Sequence, residues 1–207
     1  MRPRAWTVLS AVAALVGLLG GWLAAETVQP PGYDPVQMTI SALARHGARD
    51  RWIMTAGLYI VGVAHLATAA GLSALRLPAR VLLALGGVAG LGVAFCAQPA
   101  HGSADAHLAF AVLGVVALAL FPVAVCRREA AAFPLRIRDA VASACLSVAL
   151  LAWLMQATDG ATLGLAERAI TFQQTLWPVL VVLALRRELR TTAASVDPVR
   201  LRQFRYE

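Results

Sequence analysis

Six apolar stretches constrain this chain more than any other feature of its sequence. Each is close to the length of about 17 to 25 residues that a helix needs to cross a bilayer, where no water satisfies a bare peptide group. The stretches lie at 6–23, 52–75, 81–97, 106–126, 140–157 and 168–185. Mean hydropathy is +0.70 and charged residues make up 14% of the chain, against about a quarter in a soluble domain. The sequence therefore predicts an all-α integral membrane bundle of six transmembrane helices.

A single domain is expected to contain all six spans, because no internal repeat or linker divides the sequence. We predict a membrane domain over residues 1–190 and a cytoplasmic tail over residues 191–207. The first stretch, with Arg2 and Arg4 before it, is also typical of a secretory signal peptide. Its apolar run is longer than a usual signal core, which favours a retained helix.

Arginine predicts the orientation of the bundle. The chain has 18 basic residues and no lysine. Arg45, Arg49, Arg51 and Arg168 fall on one side of the six-span arrangement, and all the other arginines fall on the opposite side. Because cytoplasmic loops retain positive charge, both termini are expected in the cytoplasm. This topology also accounts for the basic pI, so no nucleic-acid partner is expected.

The largest external loop, between the first and second spans, is predicted to contain a short interfacial helix. Asp34 and Gln37 form a pair that resembles a capping box, with Pro35 at the first helical position. Gly47 then supplies the stop. The residues between mix apolar and polar side chains, so this helix should lie in the membrane interface or dip into the mouth of the bundle.

Four glycines in the third predicted span indicate close helix packing. They are Gly86, Gly87, Gly90 and Gly92. Small residues let the backbones of membrane helices approach each other closely. This is a structural feature without chemistry of its own.

Three segments of the chain resemble a known family when they are taken in order. They are YDPVQMTISALARHGARDRWIMTAGLYIVGVAHL, AHLAFAVLG and GLAERAITFQQTLWP. In this order they resemble a bacterial family of polytopic membrane proteins, domain of unknown function 998, over residues 33–185. The resemblance implies a six-span bundle in a bacterial inner membrane, with these motifs gathered at one end. It supplies no activity.

The segment HGSADAH, residues 101–107, allows three interpretations. Ser103 can cap the following span, with Asp105 in the first helical turn, where the helix dipole favours a carboxylate. A second interpretation makes His107 a functional group. A third is a zinc site with ligands from the following residues: His46, His101, Asp105 and His107. The spacing His-x3-Asp-x-His is a weak zinc pattern by itself, so no cofactor is expected.

Polar residues recur at helical spacing on two spans. One stripe, on the sixth span, consists of Glu167, Thr171 and Gln174. The other, on the second span, consists of Thr55, Tyr59, Gly62 and His65. Such stripes turn away from lipid, and they either join helices by hydrogen bonds or line a cavity open to the external side. His65, deep in its span, is predicted to be a buried hydrogen-bonding residue.

Three classes of function fit these features. The first is a protein with an externally open polar pocket that binds or handles a lipid or isoprenoid-like amphiphile. The second is an integral-membrane enzyme on such a substrate, either a zinc hydrolase or an acid-initiated cyclase. The third is a noncatalytic assembly partner of another membrane protein or of a second copy. The sequence leaves open whether any reaction is catalysed.

The candidate site residues follow from the first two classes. The catalytic candidates are Asp34, His107 and Glu167. The ligand-binding candidates are Ser41, Arg45, Arg49, Arg51, Tyr59, Arg168, Thr171 and Gln174. Asp34 would fix the loop helix or supply an acid, and His107 would act as a base or a ligand. Adjacent Glu167 and Arg168 would act as a pair that orients the polar head of the amphiphile.

Overall fold

The structure is a computed structural model that describes residues 3–101, 104–128, 130 and 132–203. Side chains are described for the same residues except Asp159 and residues 189–203. The helices of this part of the chain are α1 (Ala5–Thr27), α2 (Ile40–Ala44), α3 (Trp52–Gly71), α4 (Leu77–Phe95), α5 (Asp105–Val125), α6 (Ile137–Gln156) and α7 (Leu163–Gln203). A short 3-10 turn, Ala157–Asp159, joins α6 to α7.

Among the described residues, six helices are long and apolar enough to cross a membrane, namely α1 and α3 to α7. They correspond one to one with the six predicted apolar stretches. The all-α, six-span prediction is therefore confirmed, and α2 is the short helix expected between the first two spans.

Several helix boundaries differ from the sequence prediction, among them the starts of α4 and α7. Helix α4 begins at Leu77, four residues before the predicted start, because Pro78 lies in its first turn, where proline's fixed φ suits the helix and its missing N–H has no cost. Helix α7 begins at Leu163, five residues early, and continues to Gln203. Glu167 and Arg168 therefore lie inside α7, and residues 191–203 of the predicted tail continue that helix.

Close backbone contacts hold α1, α3 and α4 together. Gly57 of α3 faces the backbone of Gly17 and Gly21 in α1. On the other side of α3, Gly62 packs against the backbone of α4 at Gly87 and Gly90, as the glycine pattern predicted. Glycine is required at these points because a Cβ atom would occupy the space of the neighbouring backbone.

Two apolar clusters fill the ends of the bundle. At the end where α2 lies, which we call the α2 end, the cluster includes Leu18, Trp22, Ile40, Leu43 and Met54. At the opposite end, the cluster includes Leu72, Leu83, Phe121, Leu135 and Leu185.

Replacement of Gly57 by alanine tests the close packing of α1 and α3. The new Cβ would lie 2.6 Å from the carbonyl oxygen of Gly17, and a backbone atom cannot move aside as a side chain does. We expect Gly57→Ala to cost about 1–3 kcal/mol of stability, as overpacking does, and to lower the melting temperature in detergent. Gly20→Ala is the matched control, because nothing lies within 4 Å of its added carbon. Equal melting temperatures for the two variants would contradict this account of the packing.

Candidate functional site

A cavity of about 160 Å³ lies inside the bundle, between the two apolar clusters. Helices α3, α4, α5 and α7 form most of its wall, and α2 lies over its end. Most of the lining is apolar. The polar side chains in the wall are Ser41, His65, Glu167, Thr171, Gln174 and Thr175.

One face of α7 forms the polar wall of the cavity. Glu167, Thr171 and Gln174 lie on this face together with Ile170 and Thr175. Their spacing of three and four residues keeps them on one side of the helix, over about 12 Å at 1.5 Å per residue. The stripe predicted for the sixth span therefore turns towards the cavity.

Several of these polar groups are already bonded within the protein. Thr171 donates its hydroxyl to the backbone oxygen of Glu167 at 2.7 Å. Gln174 donates from Nε2 to the backbone oxygen of Val115 in α5 at 3.0 Å. The Thr171 bond lies within α7 and the Gln174 bond joins α7 to α5, so these groups of the wall are not free for a ligand.

Glu167 fastens α2 to α7. One of its carboxylate oxygens accepts a hydrogen bond from the backbone N–H of Ile40, and the other accepts from the Ser41 hydroxyl at 2.8 Å. The first N–H groups of a helix have no partner within it, so Glu167 caps α2 from another helix. Thr39 adds a local cap by accepting from the N–H of Ala42 at 3.0 Å.

The predicted capping pair of Asp34 and Gln37 is wrong. Asp34 Oδ1 accepts from the N–H of Val36 at 2.8 Å, which closes a local turn, as aspartate commonly does. The backbone oxygen of Gln37 accepts from the N–H of Gly164 at the start of α7. The helix therefore begins at Ile40, well after the turn.

Arg168 connects α1, α7 and the segment of residues 30–44, which we call the covering segment. Its Nε and Nη2 donate to one carboxylate oxygen of Glu26, at 3.1 and 2.6 Å. Nη1 donates to the backbone oxygens of Pro35 and Met38, at 2.8 and 2.7 Å, and Nη2 also donates to the Tyr33 hydroxyl at 2.7 Å. Every nitrogen of the guanidinium group is therefore engaged with the protein.

Glu167 and Arg168, which we predicted to orient a polar head together, point in different directions. Adjacent residues of a helix point about 100° apart, so Glu167 turns towards α2 while Arg168 turns towards α1 and Tyr33. Only 8% of Arg168 is exposed. Its geometry supports a structural role, with no donor left over for the head of an amphiphile.

The surroundings of Tyr33 favour the protonated form of its hydroxyl. Burial raises the pKa of the Tyr33 hydroxyl above its ordinary value, and the positive charge of Arg168 opposes this shift without cancelling it. The hydroxyl accepts a hydrogen bond from Arg168. It therefore adds a neutral contact to the cluster around that guanidinium group.

The backbone of the covering segment also packs directly on the first turn of α7. The N–H groups of Gly164 and Leu165 donate to the backbone oxygens of Gln37 and Val36, at 3.1 and 3.0 Å. A Cβ atom at Gly164 would meet the backbone oxygens of Pro35 and Met38. Glycine at this position is what allows the covering segment to lie so close to the helix.

None of the described residues of the HGSADAH segment lines the cavity. His107 is 4% exposed, and its Nδ1 donates to the backbone oxygen of Cys96 at 2.9 Å, which ties the end of α4 to the start of α5. Asp105 and His101 are exposed. The predicted cap, Ser103, lies outside the described residues.

The zinc prediction gains no support from this geometry. Within the described residues, no group of three or more His, Cys, Asp or Glu side chains could hold a metal ion. His46 is exposed, and its backbone N–H donates to the backbone oxygen of Gln98. Burial of His107 against α4 separates it from that surface.

Several other predicted ligand-binding residues also lie outside the cavity wall. Arg45 and Arg49 are exposed, and Arg51 donates from Nε to the backbone oxygen of Ala44 at 3.0 Å. Tyr59 is 40% exposed on the outer face of α3. It lies six residues before His65, which places the two about 120° apart around the helix.

The sequence did not predict the partners of Arg168, and it did not predict that the ring of His65 lacks hydrogen-bond partners. Glu26 is separated from Arg168 by 142 positions, and no local spacing could have joined them. His65 was expected to be hydrogen bonded, but neither ring nitrogen has a partner in the described structure. The signal in the sequence was the position of this histidine deep in an apolar span, where few side chains can be hydrogen-bond partners.

Substitution of Arg168 tests whether it holds the covering segment. Arg168→Gln leaves Glu26 without its partner and removes the contacts to Pro35 and Met38, so we expect a loss of about 3–5 kcal/mol, typical of a broken buried pair. Arg45→Gln is the control, because exposed substitutions usually change stability by less than about 0.5 kcal/mol. Thermal melting in detergent measures the difference.

A second measurement separates local release from global unfolding. Leu43 is 1% exposed in α2, so Leu43→Cys, with the native cysteines replaced by alanine, should react slowly with a water-soluble maleimide. Arg168→Gln should accelerate this reaction below the melting temperature, and Arg45→Gln should not. Equal maleimide reaction rates in the two variants would show that Arg168 does not hold the covering segment in place.

Comparison with known proteins places the chain in a family without assigning it an activity. The family model described as "Protein of unknown function (DUF998)" matches residues 4–184, which is most of the chain. No curated protein and no solved structure gives a match. The earlier resemblance is confirmed, and the chain belongs to the DUF998 family of proteins of unknown function.

Proposed function

We propose that the protein holds the apolar part of a lipid or isoprenoid-like amphiphile in its intramembrane cavity. The observation that supports this proposal is the cavity itself. Its wall is mainly apolar with a few polar side chains, which is the usual composition of a small-molecule site. Its position inside a six-span bundle makes the membrane the natural source of such a ligand.

The volume of the cavity limits what enters it. A cavity of about 150 Å³ in a protein core accommodates benzene, whereas pockets for drug-sized ligands measure about 300–1,000 Å³. At about 160 Å³, this cavity fits a ring or one short branched unit. We therefore propose that a compact portion of the amphiphile occupies the cavity, while the rest stays in the bilayer.

The covering segment would define the entrance to this site. Ile40 and Ser41 of α2 line the cavity, and Ile40 is 3% exposed. The sequence suggested a pocket open to the external side, but these residues lie across that end. The cavity is only partly enclosed by the protein, so we propose that the ligand enters past α2 or between helices from the lipid.

No specific observation favours the two enzymatic alternatives. The zinc hydrolase lacks a group of ligands among the described residues. For the acid-initiated cyclase, Glu167 is the acid that faces the cavity, but both of its carboxylate oxygens accept hydrogen bonds from α2. This arrangement supports a fastening role for Glu167 in preference to acid catalysis.

The assembly-partner alternative is not favoured either. Helices α5 and α6 are the least buried of the six spans. Exposed apolar faces are what contact with lipid tails requires, so they do not identify a protein partner.

Substitution inside the cavity tests the proposed binding. Ala111 lines the cavity, so Ala111→Leu should fill part of it and displace the ligand. Ala109→Leu is the matched control, since the same change occurs two residues away at an exposed position of α5. Native mass spectrometry of gently purified protein should find a bound lipophile in wild type and in Ala109→Leu, and much less in Ala111→Leu. Equal retention by both variants would contradict the proposal.

We also propose that the protein lies in the bacterial inner membrane with the α2 end outside. The support is the arginine distribution, because most arginines lie near the opposite end and cytoplasmic loops retain positive charge. A fluorescent protein that matures only in the cytoplasm, fused after Glu207, should fluoresce. If this fusion does not fluoresce and a reporter that is active only in the periplasm works at the same position, the proposed orientation is wrong.

A further inference from the structure

His65 is a fully buried side chain with unused hydrogen-bonding capacity. It is 0% exposed, and neither Nδ1 nor Nε2 has a partner in the described part of the protein. It lies 13 residues after the start of α3, or about 20 Å along the helix. It is therefore well inside the membrane, where a polar side chain without a partner is unfavourable.

His65 faces the cavity, and this separates it from the other unpartnered groups. Within the described residues, the buried side chains that leave a nitrogen or oxygen unpartnered are Thr7, His65 and Trp177. Of these, only His65 lines the cavity. Ser41, Thr171 and Gln174 donate to oxygens of the protein instead.

The chemistry of the imidazole ring indicates which ligand group it would accept. A neutral imidazole offers one N–H donor and one nitrogen acceptor. A hydroxyl group matches this pair, because it both donates and accepts. An anionic group does not fit, because Arg168, the buried cation at the α2 end, already has its nitrogens engaged with Glu26, Tyr33 and backbone oxygens.

The shape of the wall supplies the remaining constraint. Gly86, Gly90 and Gly114 line the cavity together with Phe110 and Leu118, which leaves an apolar space around the ring of His65. A space of this size accommodates about one benzene-sized group. The ligand group is therefore compact and apolar except for its hydroxyl.

We infer that the cavity recognises a neutral lipophile that carries a hydroxyl group, such as a phenol or an alicyclic alcohol, and that this hydroxyl hydrogen bonds to His65. The inference rests on the proposed function and adds the chemical class of the ligand. The sequence prediction placed the polar group of the ligand at the charged residues of the α2 end, whereas this inference places it at His65 in the interior of the membrane.

Two fluorinated probes of similar shape test this inference. We would titrate 4-fluorophenol and fluorobenzene against the full-length protein in lipid nanodiscs, follow binding by ¹⁹F NMR, and subtract partition into empty nanodiscs. Wild type should bind 4-fluorophenol about three to ten times more tightly than fluorobenzene, the ratio that one net hydrogen bond supplies.

Four variants separate the contribution of His65 from that of the cavity. His65→Leu should still bind fluorobenzene but lose the preference for the phenol. His65→Gln, which keeps a donor and an acceptor, should restore part of it. Ala111→Leu should weaken both probes together, whereas Ala109→Leu should weaken neither.

The outcomes distinguish the inference from the function on which it rests. If wild type binds both probes equally, or if His65→Leu still prefers 4-fluorophenol, the proposed role of His65 is wrong. The cavity would still be a binding site for lipophiles. If wild type binds neither probe above the empty nanodisc, the proposed function fails as well. Fluorobenzene binding by His65→Leu shows in the same experiment that this variant is folded.

Discussion

The ion pair between Arg168 and Glu26 is the interaction on which the α2 end depends. Moving a guanidinium group out of water costs several kcal/mol unless its donors are satisfied, and here every nitrogen has an acceptor. The acceptors come from α1, α7 and the covering segment. One buried charge therefore requires three parts of the chain to stay together, because the loss of any of them would leave a donor or the charge itself unsatisfied.

The cavity follows from this arrangement. Arg168 holds the covering segment from one side, and its neighbour Glu167 holds α2 from the other by capping Ile40 and Ser41. Helix α2 then fills the space at the end of the bundle with Leu43 and Ala44, which are buried. Deeper in the bundle, glycines at the α3–α4 contact and small residues of α5 leave space that no large side chain occupies. Two neighbouring residues of α7 thus hold α2 over the end of a cavity lined mainly by apolar groups, with one unpartnered histidine among the described residues of its wall.

This division assigns different roles to the two kinds of polar residue in the chain. The charged residues at the α2 end stabilise the fold. Arg168 bonds to Glu26, and Glu167 accepts hydrogen bonds from α2. His65 bonds to nothing within the described structure, and its environment is unfavourable without a ligand. The candidate residues Glu167 and Arg168 are therefore already bonded within the protein, whereas His65, which was expected to be hydrogen bonded, has no partner among the described residues.

The sequence by itself determined the six spans, the close glycine contacts of α4 and the polar face of α7, because all three depend on local periodicity. A run of apolar residues must be helical in a bilayer, and a spacing of three and four residues places side chains on one face of a helix. It could not determine that Arg168 meets Glu26, that Glu167 caps α2, or that His65 lacks a partner. Each of these depends on residues far apart in the chain, brought together only when the helices pack. The start of α2 depends on both kinds of contact, since Thr39 caps the helix locally and Glu167 of α7 accepts from the N–H of Ile40, whereas Asp34 closes an earlier turn.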